Sequence, residues 1–393
     1  MKDKLKILMI APTPFFADRG CHMQIYEQAR ALQKRGHDIR ITTYNIGRNM
    51  PDVATIRIPN VAPWYKKLTA GPSLTKFYLD FFLIFTTWKE AKKWKPDILH
   101  GHLHEGCLIG WIVSLFTGVP FIFDLQGSFT GEIVAHKFIK KGGIIYNFLF
   151  IFEKWLNKRP PFIMTHSTSR KKELIEIFGL AEKKITTIFD GTNLTLFHPY
   201  LKNQDLIKKY GVPQNKIFIV YLGRFEQYQG VDLLIQSIPL VVKNNPDIHF
   251  LMFGYPNVEK YRNMANELGV GDFITFSGKI DYEKAGEYIS LGDIAITLKL
   301  DVEDNGKLYN YMACGLPIIA LDNFVNREVV GEYGFYVPES TPEAVSSIIL
   351  KAASTPKEVL QKMGEGGRRR IEENFTWDKC AERMEKVYEL LAI

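Results

Sequence analysis

A chain of 393 residues is too long for one ordinary hydrophobic core and, at roughly 150 residues per domain, points to two. Its 46% hydrophobic and 24% charged residues exclude the disordered and fibrous classes. The net charge of +7 is concentrated in residues 136–160, six Lys/Arg against Glu153 alone, and residues 76–95, five Lys against Asp80 and Glu90; it lies among apolar residues, not in the broad basic stripe of a nucleic-acid binder.

The start, "MKDKLKILMIAPTP", holds too few apolar residues before Pro12 for a signal-peptide core and reads as a first strand. A helix from about His22 to Lys34 follows, with Ile25, Ala29 and Leu32 on one face and Gly36 ending it. Further strands are expected at "IRITTY", "DILHGH", "PFIFD", "FIMTH" and "ITTIFD". The uncharged run from Gly106 to Phe123 is broken by Gly110, Gly118 and Pro120 and reads as helix and strand in a core, not as a membrane span. After the polar stretch "FHPYLKNQDLIKKYGVPQNK" a second series begins: "KIFIVYLG", "IHFLMFG", "FITFSG", "DIAITL", "LPIIAL" and "GFYV". A last helix covers roughly Asp378 to Leu391.

Strands alternating with helices in two series imply two doubly wound α/β, Rossmann-like domains facing across a cleft. Their expected bounds are 1–198 and 199–375, with 376–393 crossing back to the first. Cys21, Cys107, Cys314 and Cys380 are scattered without a Cys-x-x-Cys pair, so neither a disulfide framework nor a thiolate zinc site is expected and a reducing cytoplasm fits.

Ligands of such sheets bind at the carboxyl ends of the strands, so polar residues there are the candidates. "FIFDLQGS" ends a strand on Asp124, Gln126 and Gly127, and "DILHGHLHEG" sets His100, His102 and His104 two apart, on one face if the strand runs that far. Three such histidines are conceivable zinc ligands, but a strand-end cluster beside a substrate is the preferred reading. The first turn, "APTPFFADRGCH", lacks the G-x-G-x-x-G of a nicotinamide site; its Arg19 and Gly20 are expected to meet an acceptor or a phosphate. Arg224, just beyond "YLG", suits a phosphate through its planar fork, and is read as having no native charge partner; a surface salt bridge is the alternative. In "NGKLYNYMACGLPIIA" a short helix opens on Asn305, Gly306 and Lys307, either as a plain Asn cap or as an anion seat built from unpaired amides. Apolar residues at 144, 148, 151, 152 and 155, flanked by Lys140, Lys141, Lys158 and Arg159, form a helical stripe that suits core packing or an anionic membrane equally well.

The stretches "LGRFEQYQGVDLLI", "FGYP", "FSGKIDYEKAGEYISLGDIAI", "NGKLYNYMACGLPIIA", "TIFDGTNLTLFHP" and "FTWDKCAERMEKVYELL" together resemble family 4 glycosyltransferases of the GT-B fold. The resemblance implies a cytoplasmic enzyme, peripheral to the membrane if the stripe binds there. It would move a sugar from a nucleotide sugar to a glycan or lipid-linked acceptor, with retention and without a bound metal. It assigns donor contacts to Arg224, Gly223, Gly254, Asn305, Gly306, Lys307, Leu308 and Asn310. The family's lysine position holds Gln229, for which Lys307 is expected to compensate, and its ribose glutamate position holds Asn310. Eight residues before Asn310 stands Val302, with Glu303 adjacent and assigned to the sugar. Asp124 and Glu105 are assigned to the acceptor or the sugar hydroxyls, His102 or His104 to polarising the acceptor, and Gln126 with Arg19 and Gly20 to acceptor binding. A nucleotide-sugar epimerase and a glycan-binding protein without catalysis are the alternatives.

Overall fold

The computed structural model describes residues 4–17, 20–66, 68, 74–135, 138–300 and 305–391. It divides into two units, Met1–Asp190 with Trp377–Ile393, and Gly191–Thr376.

The first unit contains β1 (Lys6–Ala11), β2 (Asp38–Thr43), β3 (Ala54–Arg57), β4 (Ile98–His102), β5 (Phe121–Leu125), β6 (Ile163–Thr165) and β7 (Ile185–Thr187), in the spatial order β3-β2-β1-β4-β5-β6-β7. Every neighbouring pair is parallel. Both faces of the sheet are covered, which is why β1 reads as a continuous apolar run: Ile7 to Ala11 are fully buried. One face carries α1 (Gly20–Lys34) and the closing helix Trp377–Leu391, packed through Ile25, Ala29, Met384 and Tyr388. The opposite face carries α2 (Leu74–Trp94), α3 (Leu103–Thr117) and, beyond α4 (Phe129–Ala135), which packs on it, α5 (Ile144–Asn157). Leu79 and Leu83 of α2, Val113 of α3 and Leu156 of α5 pack there on Leu8, Leu99 and Phe123. Each such side chain contributes about 1.5 to 3 kcal/mol by burial.

Of these strands only β3 has no counterpart in the expected series. It is a four-residue edge strand, exposed or half-buried throughout, so it carries no apolar signature. The closing helix groups with the first unit because Arg35 and His37 bond Glu385 at 2.8 and 2.9 Å and Tyr388 bonds His100. The expected boundary after residue 198 moves back to 190. Residues 191–198 belong to the second unit, where the Thr192 amide donates to Phe375 O at 2.9 Å.

The second unit contains β8 (Ile217–Arg224), β9 (Ile248–Tyr255), β10 (Ile274–Gly278), β11 (Ile294–Thr297), β12 (Ile318–Leu321) and β13 (Gly334–Val337). They form a parallel sheet in the order β10-β9-β8-β11-β12-β13. The order reverses between β8 and β11, as it does between β1 and β4 in the first sheet, and each reversal opens a crevice at the carboxyl edge.

At that edge of the second sheet β8 and β9 pair through Gly223 and Gly254. Gly254 has φ +156°, and a Cβ there would stand 1.9 Å from Gly223 O, so only glycine fits. Gly254→Ala is therefore expected to cost about 1 to 3 kcal/mol as overpacking, measured as a lowered melting temperature; an unchanged melting curve would show that the strand pair relaxes freely.

Candidate functional site

In the second unit the tip of β8 delivers Arg224. The guanidinium is not solitary, as the sequence suggested: it pairs with Glu226 two residues on and lies 5.7 Å from the Tyr255 ring centroid. A single tight turn, Gln227–Gln229, follows, and Gly230, at φ 73°, opens the helix Val231–Asn244. Gln229 is buried, and its Oε1 accepts from Lys307 Nζ, which also lies 5.4 Å from the Tyr221 ring centroid. A lysine from a distant segment thus stands on the glutamine that the resemblance sets at a lysine position. Gly223 leaves it room, since a Cβ there would meet Lys307 Cδ at 3.0 Å.

Lys307 comes from the helix Gly306–Ala313. Asn305 precedes that helix, but its side chain makes no cap bond. It is turned inward, 2% exposed, with Nδ2 donating to Thr297 Oγ1 at 3.2 Å. The cap reading is thereby corrected: the first amides of the helix keep their positive field without a side chain spent on it. Gly306 has open space where a Cβ would stand. Leu308 is fully buried and its amide donates to Asn305 O, so its side chain belongs to the core and not to a donor surface. Asn310 Oδ1 accepts from Thr192 Oγ1 at 2.7 Å. Glu303 and Val302 lie outside the described residues, as does Arg19.

In the first unit a buried charge cluster sits at the ends of β4, β5 and β6. Asp124, fully buried, bonds His166 through Oδ1 and stands 3.0 Å from His102 Nδ1 and 3.2 Å from Gln28 Nε2 through Oδ2. His166 Nδ1 faces Asp190 at 3.1 Å, and Gln24 donates to Asp190 at 2.6 Å. Burial alone would raise the Asp124 pKa, but the charge of His166 and hydrogen bonds from His100, His102 and His166 hold it well below the usual carboxylate range. Burial likewise disfavours a charged His166, and the two facing carboxylates override it, raising its pKa well above the ordinary value. Asp124 and His166 are therefore an ion pair at neutral pH. His100, by contrast, is lowered to about 4 by burial and by His102, and as the neutral ring it bonds the Tyr388 hydroxyl at 2.8 Å.

The three histidines do not share one face. Leu103, with φ 62°, ends the strand and opens α3, so His104 lies in a helical first turn, 3.3 Å from Glu153. Glu153 is 1% exposed and accepts from Ser128 and Thr130 hydroxyls and from the amides of Phe129 and Thr130, fixing the loop after β5. Burial opposes its charge, but the bonds from His104 and Thr130 bring its pKa down to about 2. Among the described residues His100, His102 and Asp124 have potential metal-ligand atoms within 4.8 Å of one another. The two rings stack at 4.3 Å and 21°, and a nitrogen of each faces Asp124 Oδ2, at 3.5 Å from His100 and 3.0 Å from His102.

Gln126 Nε2 stands 3.4 Å from His102 Nδ1, joining the cluster. Gly20 is the first residue of α1. Glu105 departs from Asp124: its charge acts on Asp80 of α2, which burial and Glu105 together push up to about 8, and which accepts from Tyr44 at 2.6 Å. Sequence reasoning overlooked His166 and Asp190, although "FIMTH" and "ITTIFD" end on them just as "PFIFD" ends on Asp124. Glu153 gave no signal, standing inside an apolar helix.

The stripe on α5 is exposed and not packed: Ile144 is 90% exposed, Phe148 and Ile151 about two thirds, and only Phe152 of the central residues is half-buried. Among the described residues no helix is long and apolar enough to cross a membrane.

Two family models match the chain, "Glycosyltransferase Family 4" over residues 19–196 and "Glycosyl transferases group 1" over residues 202–370. A D-inositol 3-phosphate glycosyltransferase of Thermomonospora curvata is 21% identical, over 94% of this chain and 90% of its own length. The sucrose-phosphate synthase of Thermosynechococcus elongatus superposes with a TM-score of 0.81 at 21% identity, covering 98% of this chain and 99% of that one. An Anabaena protein, HepE, solved with UDP-glucose, superposes at 0.78 with 14% identity, covering 98% of this chain and all of that one. With two parallel α/β sheets, two matching family models and these neighbours, the chain belongs to the family 4 glycosyltransferases of the GT-B fold.

Proposed function

We propose that the enzyme moves a sugar from a nucleoside-diphosphate sugar to a glycan or lipid-linked acceptor, with retention of anomeric configuration, as a cytoplasmic, peripheral membrane protein. The observation that carries this reading is Lys307 Nζ seated on Gln229 beside Arg224, at the mouth of an uncapped helix. Two cations and a helix terminus at the carboxyl edge of one sheet are the groups that a departing diphosphate would need. The neighbour solved with UDP-glucose supports a donor of that class, and retention follows the family.

In the transfer the anomeric C–O bond to the diphosphate breaks while the acceptor oxygen bonds the same face of the sugar. The acceptor proton passes to the departing phosphate oxygen. Negative charge builds on the diphosphate, and Arg224, Lys307 and the amides of Gly306 and Lys307 stabilise it. No metal or other cofactor is needed for that balance. Asn310 serves the ribose through its amide group, and Glu303 the sugar. In the first unit Asp124, held ionised, orients the acceptor through His102 and Gln126, while Glu153 and His104 fix the loop beside them. Four free cysteines suit a reducing cytoplasm. The exposed stripe of α5, with basic residues at both ends, suits an anionic membrane surface.

The test is nucleotide binding. A charge-assisted contact contributes about 1.5 to 3 kcal/mol, so Lys307→Ala should weaken nucleoside-diphosphate binding about ten- to a hundred-fold, measured by calorimetry. Unchanged affinity in that variant would overturn the idea that Lys307 replaces the missing family lysine.

A further inference from the structure

The second basic segment of the sequence, residues 76–95, is not used by the donor and acceptor sites. It forms most of α2, and its outward side is unusual in composition. Phe77, Tyr78, Phe81 and Phe85 are exposed, Phe77 at 70%, and the exposed residues that follow are Lys89, Lys92 and Lys93. Neither acid of the helix shares that side. Asp80 is bonded inward to Tyr44, and Glu90, 8% exposed, pairs with Arg40 at 2.6 Å.

At 100° per residue the aromatics and lysines occupy one side of the helix; at about 1.5 Å per residue they are separated along its axis, aromatics in the first turns and lysines in the last. Charge segregated lengthwise suits a helix that dips one end into a bilayer and keeps the other among the headgroups. A hollow of about 320 Å³ lined by Pro59, Phe81, Phe82, Phe85 and Thr86, with Lys89 in its wall, offers a seat for part of one acyl chain.

The start of α5 is apolar and exposed in the same way, through Ile144, Ile145, Phe148 and Ile151, with Lys140 and Lys141 just before it and Lys158 and Arg159 just after it. Both helices cover the same face of the first sheet. In a parallel sheet each crossover helix starts near the carboxyl edge and runs back against the strands. The apolar ends of α2 and α5 therefore lie towards the edge that carries His102 and Asp124.

We propose that α2 is a second membrane-inserting helix, its aromatic end entering an anionic bilayer beside the apolar end of α5 while Lys89, Lys92 and Lys93 engage lipid phosphates. The bilayer then meets the first unit at its carboxyl edge, where a lipid-linked acceptor would present its polar head. The placement of the acceptor rests on the function proposed above; the docking does not. A second copy of the chain is a poorer occupant: packed parallel it would oppose lysine to lysine, and packed antiparallel it would set the lysines on the aromatic end, with no acid on that side to pair them.

The full-length protein is tested by flotation with vesicles of phosphatidylcholine alone or mixed with phosphatidylglycerol. Wild type should bind the mixed vesicles and release at high salt. Phe81→Glu with Phe85→Glu should lower bound protein at least tenfold, and Lys89→Gln, Lys92→Gln and Lys93→Gln together should remove the preference for phosphatidylglycerol. Nucleoside-diphosphate binding, measured alongside, should stay as in wild type for both, which separates loss of docking from failure of the donor site. Undiminished vesicle binding by the phenylalanine variant would overturn the role of α2, most pointedly if Ile144→Glu with Phe148→Glu abolished binding alone. A wild-type dimer that the phenylalanine variant converts to monomer, without vesicle binding by either, would overturn it in favour of self-association.

Discussion

Replacing Arg224 by alanine is expected to lower kcat/KM for sugar transfer roughly thirty-fold to a few thousand-fold. If the guanidinium meets the donor diphosphate, truncation leaves a phosphate charge unpaired, at about 2 to 5 kcal/mol, and about 1.4 kcal/mol is tenfold in rate. Stability should fall little. The side chains of Arg224 and Glu226 are 31% and 26% exposed, and such a pair contributes less than about 1 kcal/mol. Glu226 pairs with the guanidinium at the strand tip. Arg224→Lys should recover part of the activity, because it restores the charge without the paired fork. Melting temperature and sugar transfer are measured together. An active Arg224→Ala enzyme with a lowered melting temperature would mark the residue as structural and remove a main support of the donor site.

Asp124→Asn is expected to destabilise the first unit by about 3 to 5 kcal/mol, because it leaves a charged His166 buried with half its partners. The loss should depend on pH. Asp124 has a depressed folded pKa, so its contribution is present above about pH 4 and disappears as the pH falls through that depressed value. His166 has a raised folded pKa, so its contribution is complete below about pH 6.5 and disappears as the pH rises through the raised value. Wild type and variant should therefore differ most between about pH 4 and 6.5 and converge towards acid. A difference constant across pH, followed by thermal unfolding, would show that Asp124 is not the charge that holds the cluster.

Period and punctuation were sufficient for the architecture. Twelve strands stood out as short apolar or β-branched runs, the central ones because strands covered on both faces must be apolar throughout, and α1 because Ile25, Ala29 and Leu32 return every turn. The edge strand β3 escaped notice because nothing covers it enough to demand apolar residues. The strand-end rule set Arg224, Asp124 and His102 at the carboxyl ends of strands, where the structure has them, since such a position depends only on where a strand stops. It also overextended: His104 was set beside His100 and His102, but the positive φ of Leu103 turns the chain into a helix one residue earlier.

What the sequence determined by itself is therefore what depends on neighbours in the chain: two α/β series, the place where each strand ends, the family motifs, and the basic apolar segments. What the tertiary structure decided depends on residues far apart in sequence. Lys307 and Gln229 meet across 78 positions, Asp124 and His166 across 42, and His100 and Tyr388 across 288. No local pattern encodes such meetings, because they follow from strand order and register. The same holds for the outer stripes of α2 and α5: apolar periodicity reads alike on a buried and an exposed face, and only the packing of Leu79, Leu83 and Leu156 on the sheet turns the other side of each helix to solvent.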